Sequence, residues 1–216
     1  MSSITLVRHG QANTEARDEV NYDQLSPLGH QQAQWLGAHL ATTDATFPHI
    51  LTGTLRRHVE TAQSMGLMDF DRDPRFNELE YFTMSQIAEA EHNLPVPDSR
   101  EAFQHHMPTL MDLWQRDALT GAPETFVQFE TRVRDAMADV AARRGPALVV
   151  TSGGVVGMTL RITLDLDVGA MARACLSVLN SSVHRWIALP SGLGLAQFNT
   201  VPHLETADRR FAQTHL

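Results

Sequence analysis

Apolar residues recur along this chain in two rhythms. Short continuous runs at Ile4 to Val7, at Ile50-Leu51 within His49 to Thr52, and at Ala147 to Val150 read as short buried strands. Between them the apolar positions fall at helical spacing. Ala33, Leu36 and Leu40 lie at i, i+3 and i+7, after a Ser26-Pro27 pair suited to an N-cap and first helical residue. Val59, Ala62 and Met65 define a second helix, with Thr54 as its predicted cap and Arg57 in its first turn. The strongest periodic run is Phe126, Phe129, Val133, Met137 and Val140, ended by Arg143, Arg144 and Gly145 before Pro146.

The remaining stretches are weaker. Gln11 to Asp23 is polar and reads as a loop, and Arg75 to Glu78 reads as a third strand or its end, after the Asp73-Pro74 turn signal. From Thr83 to about Gly121 the pattern is helical, broken at Leu94-Pro95-Val96-Pro97. Phe103, Met107, Leu110, Met111 and Trp114 share one face there. This region reads as an inserted helical lid over a pocket. A helix is predicted from Val155 to about Leu166, and last strands at Val183 to Leu189 and Leu195 to Val201. Strands alternating with helices predict an α/β protein: a three-layer α/β/α sandwich around a mostly parallel sheet, as one domain over 1–216 with the insertion near 83–121. Ligands of such sheets bind beyond the carboxyl ends of the strands.

Composition narrows the partners. The chain has 216 residues, 43% hydrophobic and 19% charged, with formal net charge −8. That balance argues against a broad surface for nucleic acid or anionic membrane. No apolar run approaches the roughly 18 residues of a membrane span. The start, MSSITLVRHG, lacks a basic n-region and a long apolar core, so a cytoplasmic location is expected. The single cysteine, Cys175, forms no intrachain disulfide and reads as a small buried apolar side chain. Nothing in the pattern assigns an oligomeric state.

Arg8-His9-Gly10 ends the first strand. An arginine offers a planar fork that matches phosphate oxygens, and a histidine ring can carry a covalent intermediate. Gly153-Gly154, after the Ala147 to Val150 strand and at a predicted helix start, offers backbone donors and a favourable dipole for an anion. No histidine pair shows HExxH-like spacing, so neither metal nor cofactor is expected. His105-His106 reads as surface or packing.

Taken in order, RHGQ, TGTLRRHVETA, DPRFNELE and VVTSGG resemble the histidine phosphatase superfamily, the phosphoglycerate mutase-like family. LNSSVHRW and FNTVPHL are similar to its C-terminal strands. The resemblance spans nearly the whole chain and is weakest over Thr83–Gly121. It implies that Arg8 and Arg57 bind phosphate, Arg57 rather than Arg56 because it lies four residues before Thr61. It makes His9 the phosphorylated nucleophile and Glu78, rather than Glu80, the proton donor. It implies a small phosphorylated substrate bound by Arg8, Arg57, Ser152, Gly153 and Asn13.

Two departures stand out. The superfamily usually carries a second histidine where this chain has Ser152, and often a phosphate-contacting asparagine where it has Glu15; Asn13 lies two residues away. A serine at 152 together with RHGQA implies a bacterial subgroup, and a slow enzyme. His184 is an outside candidate for the missing ring. The main expectation is therefore a phosphomonoester hydrolase acting through phosphohistidine. The alternative is a non-catalytic phospholigand-binding protein of the same fold, and a mutase fits less well. A dinucleotide-binding reading of SGGVVG fails on Ser152 at the first glycine position. A serine-hydrolase reading of VTSGG has only the second glycine of its motif.

Overall fold

The computed structural model describes residues 2–215. In chain order its elements are β1 (Ser3–Arg8), α1 (Glu19–Tyr22), α2 (Pro27–Ala41), β2 (His49–Thr52), α3 (Arg56–Ser64), β3 (Asp71–Arg72), α4 (Tyr81–His92), α5 (Arg100–Gln115), α6 (Phe126–Ala142), β4 (Ala147–Thr151), α7 (Gly153–Leu164), α8 (Val168–Ser177), β5 (Val183–Leu189) and β6 (Gly192–Thr200). The strands form one sheet in the order β3-β2-β4-β1-β5-β6. The first four run parallel, and β5 and β6 pair antiparallel at the end beyond β1.

Alternation along the buried strands explains the three layers. Ile4 and Leu6 of β1 and Ala147 and Val149 of β4 pack with α4 to α7 on one face. Val7, Leu148 and Val150 point the other way, against Ala33, Leu36, Ala62 and Met65 of α2 and α3. Both faces of the parallel strands are therefore apolar, and these segments read as continuous runs rather than alternating ones.

Local cap chemistry sets several helix starts. Ser26 accepts from the Gly29 N–H at 3.0 Å, Ser99 from Ala102, Asp167 from Ala170, and Thr125 with Gln128 forms a capping box. Three expectations need correction. Gln11 to Asp23 is not all loop, because Glu19–Tyr22 closes a helical turn capped by Asp18. The third strand is Asp71–Arg72; Pro74–Phe76 turns as a 3₁₀ helix instead, since Asp73 accepts from the Arg75 N–H and proline fixes the next residue. Thr54 does not cap α3, whose N-cap position is Leu55 with no side-chain bond. Helix α8 was not anticipated. The Thr83 to Gly121 region forms α4 and α5, with the proline-containing break between them.

Candidate active site

The carboxyl ends of β1, β2 and β4 converge. The His9 N–H donates to the Thr151 carbonyl at 2.8 Å, and the Gly53 N–H to the Val150 carbonyl at 3.0 Å. A cavity of about 390 Å³ opens above this edge. Arg8, His9, Arg57, Glu78, Gly153 and Gly154 line its floor.

His9 is 2% exposed. Its Nδ1 lies 2.7 Å from the Gly10 carbonyl, which can only accept, so Nδ1 carries the hydrogen and Nε2 keeps a lone pair. Burial, then the positive charges of Arg57 and Arg8, hold the ring well below the ordinary histidine range. The ring is therefore held in its neutral form.

The two arginines are held differently. Arg8 donates through one terminal nitrogen to the carbonyls of Val178 and His215. Burial lowers its pKa from the ordinary value, with Tyr22 and Glu78 opposing. Arg57 pairs with Asp23 at 3.0 Å and lies 5.1 Å over the Tyr22 ring. Each buried Nε lacks a hydrogen-bond partner among the described residues. Thr61, one turn after Arg57, donates to the Arg57 carbonyl at 2.7 Å and accepts the Gly10 N–H at 3.1 Å. This is the physical content of the four-residue spacing, which locks α3 to the loop carrying His9. Arg56 faces solvent, its side chain 63% exposed and paired with Glu60.

Glu78 accepts the Gly154 N–H at 2.9 Å and the Leu79 N–H at 3.1 Å. A side chain at Gly154 would place its Cβ 2.1 Å from Glu78 Oε1, so the glycine lets the carboxylate reach the cavity. One of the two backbone donors expected for an anion is thus bound to Glu78. The segment before Glu78 is pinned by Arg132, which donates to the Arg75 and Asn77 carbonyls, each at 2.8 Å.

Other expected contacts lie elsewhere. The Ser152 hydroxyl does not line the cavity. The residue is fully buried, and its Oγ sits 2.6 Å from His58 Nε2. Asn13 shapes its own loop, donating to the Asn21 carbonyl and accepting from the Glu15 N–H; neither Asn13 nor Glu15 lines the cavity. His184 hydrogen-bonds Ser182 and Asn199 behind β1 and also stays out. His106 is packed against the Tyr81 hydroxyl at 3.0 Å. Cys175, half-buried, does line the cavity, and burial pushes its thiol up to about 12. Among the described residues, no group of three or more histidine, cysteine or acidic side chains could hold a metal ion.

Away from the floor the walls are mostly apolar and aromatic, with Thr14, Arg17, Asp98, Ser99 and Arg100 also lining the cavity. Tyr22, Phe82, Tyr81 and Phe103 follow one another with ring centroids 5.1–5.8 Å apart. Met107, Met111 and Met171 complete this side. Glu19 accepts the Phe82 N–H at 2.8 Å, and burial raises its carboxyl above the ordinary range.

A family model for the histidine phosphatase superfamily (branch 1) matches residues 4–192. The chain belongs to this superfamily. The mitochondrial serine/threonine-protein phosphatase Pgam5 of Caenorhabditis elegans is 38% identical over 60 residues, which are 28% of this chain and 20% of that protein. The chain thus matches about a fifth of that relative's length. A mutant phosphoserine phosphatase of Entamoeba histolytica, in complex with phosphoserine, superposes with TM-score 0.70 at 14% identity, covering 94% of this chain and all of the other. The phosphoglycerate mutase of Bacillus anthracis superposes with TM-score 0.69 at 17% identity, covering 94% of each chain. One fold serves a phosphatase and a mutase, so any choice between them rests on the site. Among the described residues, no helix is long and apolar enough to cross a membrane.

Sequence reasoning missed Asp23, Arg132 and His58. Asp23 and Arg132 act across 34 and 55 residues, a separation that carries no local signal. His58 was visible beside Arg57 but had no motif role.

Proposed function

We propose that this chain is a phosphomonoester hydrolase that works through a phosphohistidine at His9. The observation that carries this reading is the His9 ring: buried, neutral, with Nε2 unprotonated, on a cavity floor that it shares with Arg8 and Arg57. Phosphoryl transfer spreads negative charge over three equatorial oxygens, so catalysis depends on positioning and electrostatics. Arg8 and Arg57 bind those oxygens with charge-assisted bonds. His9 Nε2 forms the bond to phosphorus as the ester oxygen leaves, and Glu78 supplies the proton to that alkoxide. Water then attacks the phosphohistidine, Glu78 takes its proton, and phosphate departs with the ring returned to its neutral form.

In this reading α4 and α5 form a lid that reads the alcohol part of a small phosphorylated substrate. The apolar wall suits an aromatic or aliphatic alcohol. The pairing of RHGQA with TSGG marks a subgroup, and the chain is cytoplasmic.

The test is hydrolysis of nitrophenyl phosphate, with acid-quench trapping of the labelled enzyme. Turnover that His9→Ala abolishes, with label on a histidine, is the expected result. Phosphate binding without turnover would overturn it in favour of a phospholigand-binding protein.

A further inference from the structure

One buried titratable side chain beside the site has no part in the proposed reaction. His58 is fully buried on α3, and its ring centroid lies 5.8 Å from that of His9. Its Nε2 is 2.6 Å from the Ser152 Oγ. Ser152 occupies the N-cap position of α7, yet its side chain caps nothing there. The usual use of serine at that position has been given up, and its side chain bonds His58 instead.

The surroundings are shaped to the ring. A Cβ at Gly53 would lie 2.2 Å from His58 Nδ1, so the imidazole fits because residue 53 is glycine. That Nδ1 has no hydrogen-bond partner among the described residues. An orphaned buried N–H is a rarer and costlier defect than a lone pair set against a Cα–H group. The hydrogen therefore sits on Nε2, which donates to Ser152 Oγ and leaves the serine hydrogen uncommitted.

We propose that His58 is a positioning residue of the site: hydrogen-bonded to Ser152, its imidazole supplies from α3 the ring that position 152 lacks, and it braces the ring of His9. This rests on the phosphohistidine reading above. His9 is tied at Nδ1 to the Gly10 carbonyl, but that bond leaves the ring free to tilt. His58 packs beside it, the two ring planes 35° apart, and limits the tilt. A nucleophile displaced by about 1 Å can cost on the order of 10²-fold in rate. The Ser152 hydroxyl already meets the His58 ring, so an imidazole at 152 would have to compete with it. The titratable and charged groups facing His9 are Arg57, Arg8, His58 and Tyr22.

The test compares His58→Ala, His58→Gln, Ser152→His and the double variant His58→Ala/Ser152→His, on nitrophenyl phosphate, with thermal melts. His58→Ala is expected to lower kcat about 10–10²-fold with KM moving less. His58→Gln, which keeps a donor for Ser152, should fall between it and wild type, and it decides the matter if the alanine variant does not fold. Ser152→His alone should lose activity by collision. The double variant should recover at least tenfold over His58→Ala, because the ring now comes from the N-cap position of α7. The acid limb of kcat/KM should move to higher pH in His58→Ala, since part of the packing that keeps water from His9 is gone and burial is the main cause that holds its ring neutral. Wild-type kcat and acid limb in His58→Ala and His58→Gln, or a double variant no better than His58→Ala, would overturn the proposal. If the wild type turns over no ester, the proposed function fails by itself. An NMR titration of the His9 ring in wild type and His58→Ala then decides the bracing: a shifted midpoint supports it, and an unmoved one removes it.

Discussion

Asp23 offers the sharpest test of how Arg57 is held. Its carboxylate receives the Arg56 N–H at 2.9 Å, the Arg57 N–H at 3.1 Å and the Arg57 guanidinium at 3.0 Å. It therefore caps α3 from outside, where Leu55 contributes no side chain, and also neutralises a buried cation. Asp23→Asn keeps one oxygen, removes the charge and turns an amide towards donors. Breaking a buried ion pair costs about 3–5 kcal/mol, whereas an exposed pair contributes about 0–1. Here the arginine side chain is 3% exposed and the aspartate 23%, so the value lies between these limits. One lost bond to a charged group is about 1.5–3 kcal/mol, and the helix-terminus charge adds about 0.3–1. Solvent screening on the exposed side of Asp23 brings the total to about 2–3 kcal/mol. At about 2–4 °C per kcal/mol for a chain of this size, the melting temperature should fall about 4–12 °C. An Arg57 no longer fixed above the floor should also lower kcat/KM about 10–10²-fold, equivalent to about 1.4–2.8 kcal/mol. Urea unfolding and steady-state kinetics on the same samples check both. A variant within about 0.5 kcal/mol of wild type, with kcat/KM intact, would refute the claim that Asp23 presents Arg57.

Further expectations can be checked with the same assays. Glu78→Gln should slow alkyl phosphates strongly and nitrophenyl phosphate less, because the latter leaving group barely needs a proton; equal losses on both would remove Glu78 as acid. Naphthyl phosphate should exceed glycerol phosphate in kcat/KM by about 10–150-fold, since burying one large apolar group gains about 1.5–3 kcal/mol; a preference for glycerol phosphate would refute the role given to the aromatic wall. Acid should destabilise the fold through its buried histidines. Burial sets His184 and His203 at about 3 and pushes His9 and His58 well down too. Unfolded, all four titrate near 6.5, so below that pH the unfolded chain binds more protons and stability falls with pH, by roughly 1.4 kcal/mol per pH unit for each histidine. A flat unfolding free energy between pH 6.5 and 4.5 would contradict this.

What the sequence disclosed follows the range of the forces involved. The parallel strands were legible because burial on both faces makes Ile4 to Val7 and Ala147 to Val150 apolar throughout. Ser26 was legible as a cap because its partner, the Gly29 N–H, lies three residues on. Arg57 was chosen over Arg56 through the resemblance alone, and the structure gives its four-residue spacing a physical content: Thr61 donates to the Arg57 carbonyl. Thr54 misled for the same reason that Ser26 succeeded: it has cap chemistry just before a helical run. Instead its hydroxyl accepts from the Asn77 amide at 2.7 Å, joining β2 to the segment before Glu78. Ser152 misled differently. Its place before the glycine pair suggested a donor to the anion, and only the fold shows that a histidine from another helix occupies its hydroxyl.

The short α1 turn gathers what could not be read. Glu19 bonds the first turn of α4, whose own N-cap position, Glu80, makes no side-chain cap bond. Asp23, just after α1, does the same for α3. Tyr22 between them lies under the Arg57 guanidinium and at the edge of the His9 ring. Two helix starts on opposite sides of the cavity therefore take their missing caps from one five-residue stretch. A cap borrowed in this way leaves no signature beside the helix it serves, so both starts looked under-specified in the sequence. The arrangement also links chemistry to recognition. Asp23 holds Arg57 on the floor and Glu19 holds Phe82 on the wall, so one short turn serves phosphoryl binding and the fit of the alcohol through separate residues. Glu19→Gln should therefore change KM for bulky esters while leaving α3 in place, whereas Asp23→Asn should affect every ester alike. Kinetics on naphthyl and methyl phosphates for both variants would separate the two effects. Identical patterns in the two variants would show that α1 acts only as a general support for the fold.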